Sequence, residues 1–298
     1  MSFDICIAFD DTKYLDNQFR LFIPSLKNNI PEDTIIHIVT NRDKDDKTIK
    51  VLMDNFNTEY YYKKKDNDLE SRCRYMLNCF DVDTDKKWLV KMESDFIVMK
   101  HLKELYNILD SKYDVVIEPE NRYIFGNQVM RRMYKLIYKA MDIECPLNER
   151  IEYRENKEKG LPLFGTGMIC VKSNILPTII ERWKPLTKKC EPWLNYNTHP
   201  NEMAFTGMVL DEGWKWNLYS DIYKYNPIGH FRKGSFPSID LINKCYLPKD
   251  VVIFDYHRFP WLFHVAQRNK KLYDIIKESS KGIKDSYLLS KTHFLEGE

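Results

Sequence analysis

From Phe3 to Glu120 the apolar positions switch repeatedly between two rhythms. Phe3–Phe9 is a largely apolar run stopped by Asp10-Asp11, which predicts a short buried strand. Leu15, Phe19, Phe22, Ile23, Leu26 and Ile30 then recur at helical spacing with one face inward. Thr34–Thr40 is β-branched and strand-like, and Ile49, Leu52, Met53 and Phe56 repeat the helical stripe. Thr58–Tyr62 predicts a third strand, and Leu69–Phe80 a helix with Leu69, Cys73, Met76, Leu77 and Phe80 inward. Trp88–Met92, Leu102–Leu109 and Tyr113–Ile117 continue as strand, helix and strand. Alternation of this kind implies an α/β sheet, mainly parallel, joined by right-handed crossovers. In such open sheets ligands bind beyond the carboxyl ends of the strands. That rule points to Asp10-Asp11, Thr40-Asn41 and the residues after Met92.

After Glu120 the beat loosens. Asn127–Met141, Ile175–Trp183 and Asn201–Leu210 read as helices, and Leu163–Lys172, Trp214–Tyr219 and Val251–Tyr256 as strands. Asn226–Pro248 reads as a long loop, and from Gln267 a helix leads into a polar tail. No repeat, low-complexity tract or linker interrupts the chain, so one continuous domain over 1–298 is expected.

Composition narrows the function classes. The chain is 43% hydrophobic and 30% charged, ample material for a core. Its 46 Lys+Arg against 44 Asp+Glu leave a net charge of +2, without the basic excess that a nucleic-acid backbone demands. Aromatic residues make up 14%, as suited to stacking on sugars and bases as to filling a core. The 7 cysteines are odd in number and form no CxxC pair, which excludes a complete disulfide framework and argues against zinc. Cys6 and Cys170 lie inside apolar segments, so a reducing, cytoplasmic setting is expected. The start, Met1-Ser2-Phe3-Asp4, has an acid where a secretory signal carries positive charge, and no run reaches the ~20 apolar residues of a membrane span.

The most informative stretch is Trp88-Leu89-Val90-Lys91-Met92-Glu93-Ser94-Asp95, an apolar strand running into two carboxylates. If the chain stays extended, Glu93 and Asp95 project to one side, ~6–7 Å apart. Hard oxygen ligands so placed suit Mg²⁺ or Mn²⁺ when a substrate diphosphate completes the shell. Acid-x-acid by itself is weak here, because Asp66-Asn67-Asp68 and Glu118-Pro119-Glu120 share it. Asp81-Val82-Asp83-Thr84-Asp85 begins like a calcium loop, but Lys86 and Met92 stand where that loop needs Gly and Glu, so it reads as a polar turn.

Taken in order, several segments resemble the GT-A glycosyltransferases, above all the family 8 group that includes glycogenin and bacterial galactosyltransferases. They are Ile5–Tyr14 with Ser25-Leu26, Ser71–Tyr75, Glu93-Ser94-Asp95, Phe164–Ile169, Asn201–Phe205 and Val252–Trp261. The resemblance implies a GT-A fold, a mixed and mainly parallel sheet flanked by helices. It also implies a nucleotide-sugar half over 1–120, an acceptor half over 121–265, and a helix and tail over 266–298. By the same resemblance, Ala8, Phe9, Asp10 and Tyr14 would hold the nucleotide base and ribose. Arg72 and Arg74 would meet phosphate. Glu93, Ser94 and Asp95 would form the metal motif, and Gly165, Thr166 and Gly167 would line the donor sugar. The chain departs from the family at Glu93, where Asp is usual, and at Phe259, where a phosphate-binding Lys is usual. His257 is a shifted candidate for the metal-binding His, and Arg258 could replace the Lys.

The function implied is metal-dependent transfer of a hexosyl or pentosyl group from a nucleotide diphosphate sugar, UDP-sugar favoured, to a glycan or other hydroxyl acceptor. Mn²⁺ or Mg²⁺ would stabilise charge on the departing diphosphate. If the reaction inverts, a carboxylate must take the acceptor's proton, with Glu202 and Asp255 as candidates; if it retains, none is required. A sugar-nucleotide pyrophosphorylase would need a Gly-rich basic loop after the first strand, whereas Asp10-Asp11-Thr12-Lys13 is acidic and lacks Gly. A non-catalytic sugar- or nucleotide-binding protein on the same fold is the other alternative.

Overall fold

Strand β1 (Phe3–Phe9) sends alternate side chains to two faces: Phe3, Ile5, Ile7 and Phe9 enter one hydrophobic cluster, Cys6 and Ala8 another. That period of two is what a strand buried on both sides requires. The computed structural model describes residues 2–10, 14–27, 29–64, 76–120, 128–153, 159–193, 200–225 and 250–255, with Lys270 and Asp274 as isolated positions.

Beyond β1 come α1 (Tyr14–Lys27), β2 (Ile36–Thr40), α2 (Lys47–Asn55), β3 (Thr58–Tyr62), β4 (Trp88–Met92), β5 (Phe96–Val98) and β6 (Val115–Pro119). The second half adds α3 (Gln128–Met141), β7 (Ile151–Glu152), β8 (Lys159–Gly160), β9 (Phe164–Lys172), α4 (Leu176–Cys190), α5 (Pro200–Asp211), β10 (Trp216–Leu218) and β11 (Ile253–Asp255). The main sheet has the order β10-β6-β9-β4-β1-β2-β3. Strands β4, β1, β2 and β3 pair in parallel, as do β6 and β10, while β9 runs antiparallel between β4 and β6. The sheet is therefore mixed and mostly parallel, as expected.

Helices cover both faces. Phe19, Phe22 and Leu26 of α1 and Ile49 and Leu52 of α2 join the Phe3–Ile5–Ile7 cluster. Tyr134 and Tyr138 of α3, Trp183 of α4 and Phe205 and Met208 of α5 join the Cys6–Ala8 cluster. Trp183 pins two of these helices together: its ring lies 5.1 Å from Phe205, and its Nε1 donates to the Asn201 carbonyl at 2.8 Å. Burying such a ring contributes roughly 3 kcal/mol. At α2 the start is fixed by Asp46, whose carboxylate accepts from Thr48 N (2.8 Å) and Ile49 N (3.3 Å).

Several expected bounds move. Leu102–Leu109 forms a short 3-10 turn, Leu102–Asn107, and the strand expected at Tyr113 begins at Val115. Helix α4 passes Trp183 and Pro185 to reach Cys190, because Leu186 and Cys190 extend its buried stripe and an internal proline removes a single backbone donor. Of Leu69–Phe80, only the turn Met76–Asn78 lies among the described residues as regular structure. The long loop Asn226–Pro248 and the segment from Gln267 lie outside them, apart from Lys270 and Asp274.

Candidate active site

Strand β4 stops at Met92, and Glu93-Ser94-Asp95 turns between β4 and β5. The extended geometry that would send both carboxylates to one side is not adopted, which corrects that part of the sequence reading. Asp95 is buried, whereas the Glu93 carboxylate accepts from Lys91 Nζ at 2.8 Å. Ser94 donates from its hydroxyl to Gln18 Oε1 at 2.7 Å, tying the turn to α1. Residues i and i+2 of a strand share a side, and here that pairing joins Lys91 to Glu93.

Lys91 also reaches β9, where the register slips. Ile117 pairs with Ile169, but the next residue, Glu118, pairs with Gly165. Thr166, Gly167 and Met168 therefore bulge out of the β6–β9 ladder, and their carbonyls need other donors. Lys91 Nζ supplies Thr166 O at 2.6 Å and Gly167 O at 3.3 Å, and the Tyr219 hydroxyl supplies Met168 O at 3.0 Å. An ammonium that is 1% exposed thus holds both the β4–β5 turn and the bulge. The glycines are required by close approach: a Cβ on Gly165 would meet Glu118 Cγ at 2.9 Å, and one on Gly167 would meet Lys224 Nζ at 2.7 Å.

Helix α5 brings its amino end to the bulge. Asn201 Nδ2 donates to Thr166 Oγ1 at 3.0 Å, and Thr206 Oγ1 accepts from Phe164 N at 2.9 Å. Glu202 is buried beside them. Burial first, then the charges of Glu120, Glu118 and Glu93, push its carboxyl well above the ordinary range, against a hydrogen bond from the Thr166 backbone.

The β5–β11 ribbon delivers Asp255. Its antiparallel register sets Asp255 opposite Phe96, one residue from Asp95. Asp255 Oδ2 lies 2.8 Å from Lys224 Nζ, which donates at 2.7 Å to Glu118 Oε1.

Of the expected nucleotide contacts, Ala8 and Phe9 are buried, with the Phe9 ring tilted at 60° to Phe19, centroids 4.5 Å apart. The Asp10 carbonyl accepts from Arg42 Nε at 2.8 Å, and that guanidinium lies 5.5 Å over the Phe9 ring. Tyr14 begins α1, and its side chain lies outside the described set. Arg72, Arg74, His257 and Arg258 also lie outside the described residues. Glu93, Ser94, Asp95, Gly165, Thr166, Gly167, Glu202 and Asp255 do converge at the carboxyl end of the sheet.

Among the described residues no three of His, Cys, Asp and Glu are gathered into a metal cage. The donor chemistry fits a different arrangement. Asp95, in the turn just before β5, and Asp255, opposite Phe96 at the end of β11, are buried hard oxygen donors, the one or two carboxylates that Mg²⁺ or Mn²⁺ takes when a diphosphate supplies the rest.

No family model and no curated protein matches the chain. Solved structures do. The galactosyltransferase LgtC, in complex with donor and acceptor sugar analogs, superposes with a TM-score of 0.60 at 11% identity, covering 97% of this chain and 99% of its own. GlyE, a glycosyltransferase of Streptococcus pneumoniae, reaches 0.55 at 14% identity over 99% of this chain and 64% of its own. The fold is that of the GT-A glycosyltransferases. Mouse xyloside xylosyltransferase 1 shares the GT-A fold at 0.50 and 10% identity, covering 86% of this chain and 98% of its own.

Sequence reasoning passed over Lys91, Glu118, Lys224 and Arg42. Lys91 and Glu118 had a signal, a lone charge inside Trp-Leu-Val-Lys-Met and Val-Val-Ile-Glu-Pro, since a buried charge needs a partner. Lys224 had none, because its partners lie 106 residues back and, at Asp255, on the far side of residues 226–249.

Proposed function

We propose that the protein is a metal-dependent glycosyltransferase. It moves a sugar from a nucleotide diphosphate sugar, UDP-sugar favoured, to a hydroxyl of a glycan or glycoconjugate. The observation that carries this reading is the convergence, in a GT-A fold, of the β4–β5 turn, the β9 bulge and the amino end of α5 at the sheet's carboxyl end. Residues 1–120 form the nucleotide-sugar half and 121–265 the acceptor half.

Asp95 is the principal ligand for Mn²⁺ or Mg²⁺, with Asp255, Glu93 and His257 as the neighbouring candidates. The cation, when bound with donor, supplies Lewis-acid stabilisation of the diphosphate leaving group. The end of β1 (Ala8, Phe9, Asp10) and Tyr14 take the base and ribose, Arg72, Arg74 and Arg258 the phosphates. The Gly165–Gly167 bulge and Ser94 border the sugar. For an inverting reaction Glu202 is the better proton acceptor: its buried, acid-ringed site favours protonation, while Asp255 is held by an ammonium. Reduced, buried Cys6, Cys170 and Cys190 support a cytoplasmic setting. Among the described residues no helix is long and apolar enough to cross a membrane.

The test is thermal stabilisation by nucleotide diphosphates and nucleotide sugars with and without Mn²⁺, for the natural chain and Asp95→Ala. A ligand at 100 times its Kd stabilises by ~2.7 kcal/mol. Metal-dependent stabilisation lost in Asp95→Ala is expected; no response of the natural chain to any donor would sink the reading.

A further inference from the structure

Lys224 is 4% exposed, yet its ammonium is where four strands meet. It bonds Glu118 at the end of β6 (2.7 Å) and Asp255 at the end of β11 (2.8 Å). It lies 5.4 Å from the Phe96 ring of β5 and rests on the bare backbone of Gly167 in β9. Desolvating an ammonium this far is costly unless carboxylates compensate it, and each carboxylate here would in turn repel the other without it. Asp255 has the most to lose, since it ends a three-residue strand whose sheet partner, β5, is equally short.

We infer that Lys224 is a positioning residue of the proposed donor site, fixing the Asp255 carboxylate at the ribbon end, across from the residue that follows Asp95, and thereby setting how tightly the cation and diphosphate are held. The inference rests on the reading proposed above. Groups that orient a ligating side chain typically govern metal affinity by 10–100-fold when removed. Lys224 meets Asp255 on Oδ2, so it fixes the carboxylate's rotation. A lysine retained only to fill space would leave cation affinity unchanged once the chain is folded. The absence of a Cβ at Gly167 belongs to the same device, because an alanine there pushes the ammonium away without deleting it.

The experiment is calorimetric titration of Mn²⁺ into the full chain with saturating UDP, for the natural protein, Lys224→Met and Gly167→Ala, with folding checked by circular dichroism. About 10–100-fold weaker Mn²⁺ binding in the folded variants is expected. If Lys224→Met does not fold, Gly167→Ala decides. Natural affinity in a folded variant overturns the inference alone. Failure of the natural chain itself to bind Mn²⁺ with UDP or with any other nucleoside diphosphate overturns the functional reading and the inference with it.

Discussion

The two ends of the sheet handle buried charge in opposite ways. At the amino end of β1, Asp4 is fully buried and enclosed by donors from its surroundings. Ile35 N lies at 2.8 Å, the Thr84 hydroxyl at 2.6 Å and His37 Nε2 at 3.3 Å. The β1–β2–β3 registers beside it run without a slip. At the carboxyl end, Lys91 and Lys224 meet Glu93, Glu118 and Asp255 across a broken β6–β9 register. The first network closes the start of β1 with donors from Ile35, from His37 in β2 and from Thr84. The second joins β4, β6, β9 and β11, and its members border the proposed donor site. At the amino end one carboxylate is met by a backbone amide, a hydroxyl and an imidazole beside unbroken registers, while at the carboxyl end ammonium–carboxylate pairs bridge a slipped one.

Three substitutions probe this contrast. Asp4→Ala strands three donors at once and should cost about 3 kcal/mol by denaturant titration. Burial raises the Asp4 carboxyl, but the bonds from His37, Thr84 and Ile35 outweigh it and hold the folded value below the ordinary one. The natural chain's advantage should therefore be full above about pH 4 and fade as pH falls through the lowered folded value. An advantage independent of pH would show that Asp4 contributes by packing.

Gly167→Ala should cost about 2 kcal/mol, since a new Cβ 2.7 Å from Lys224 Nζ must displace a paired ammonium. A neutral outcome would show that the bulge relaxes freely and that the two ends differ less than the bonding suggests. Glu202→Gln is the smallest and runs the other way. A folded carboxyl raised above its unfolded value of about 4.3 burdens the native state increasingly as pH rises past that value. The glutamine variant should match the natural chain near pH 4 and gain about 1 kcal/mol at pH 8, measured by thermal melts. A loss at pH 8 would mean that the ionised carboxylate stabilises its helix end.

The regular half was legible in the sequence. β1 and β4 follow the bounds that the apolar runs predict, because a strand buried on both sides leaves little choice of residue, and the half-exposed edge strand β3 keeps its predicted bounds too. Asp95, Thr166 and Glu202 were legible as site candidates from their place at element ends. The turn at Glu93-Ser94-Asp95, the antiparallel entry of β9 and the three-residue bulge were not. Period-two apolar spacing is the same for a strand in either direction, and a bulge changes pairing without changing composition.

The amino-acid sequence by itself determined the alternation of strands and helices, the two-faced burial of the sheet and the end to which the proposed site is assigned. These follow from side-chain periodicity and from where apolar runs stop, which are local properties. Tertiary structure alone decided which carboxylates are compensated and by what. Lys91 was placed between Glu93 and the bulge carbonyls, and Lys224 between Glu118 and Asp255. A buried ion pair depends on distance and desolvation in three dimensions, and neither is written in sequence separation.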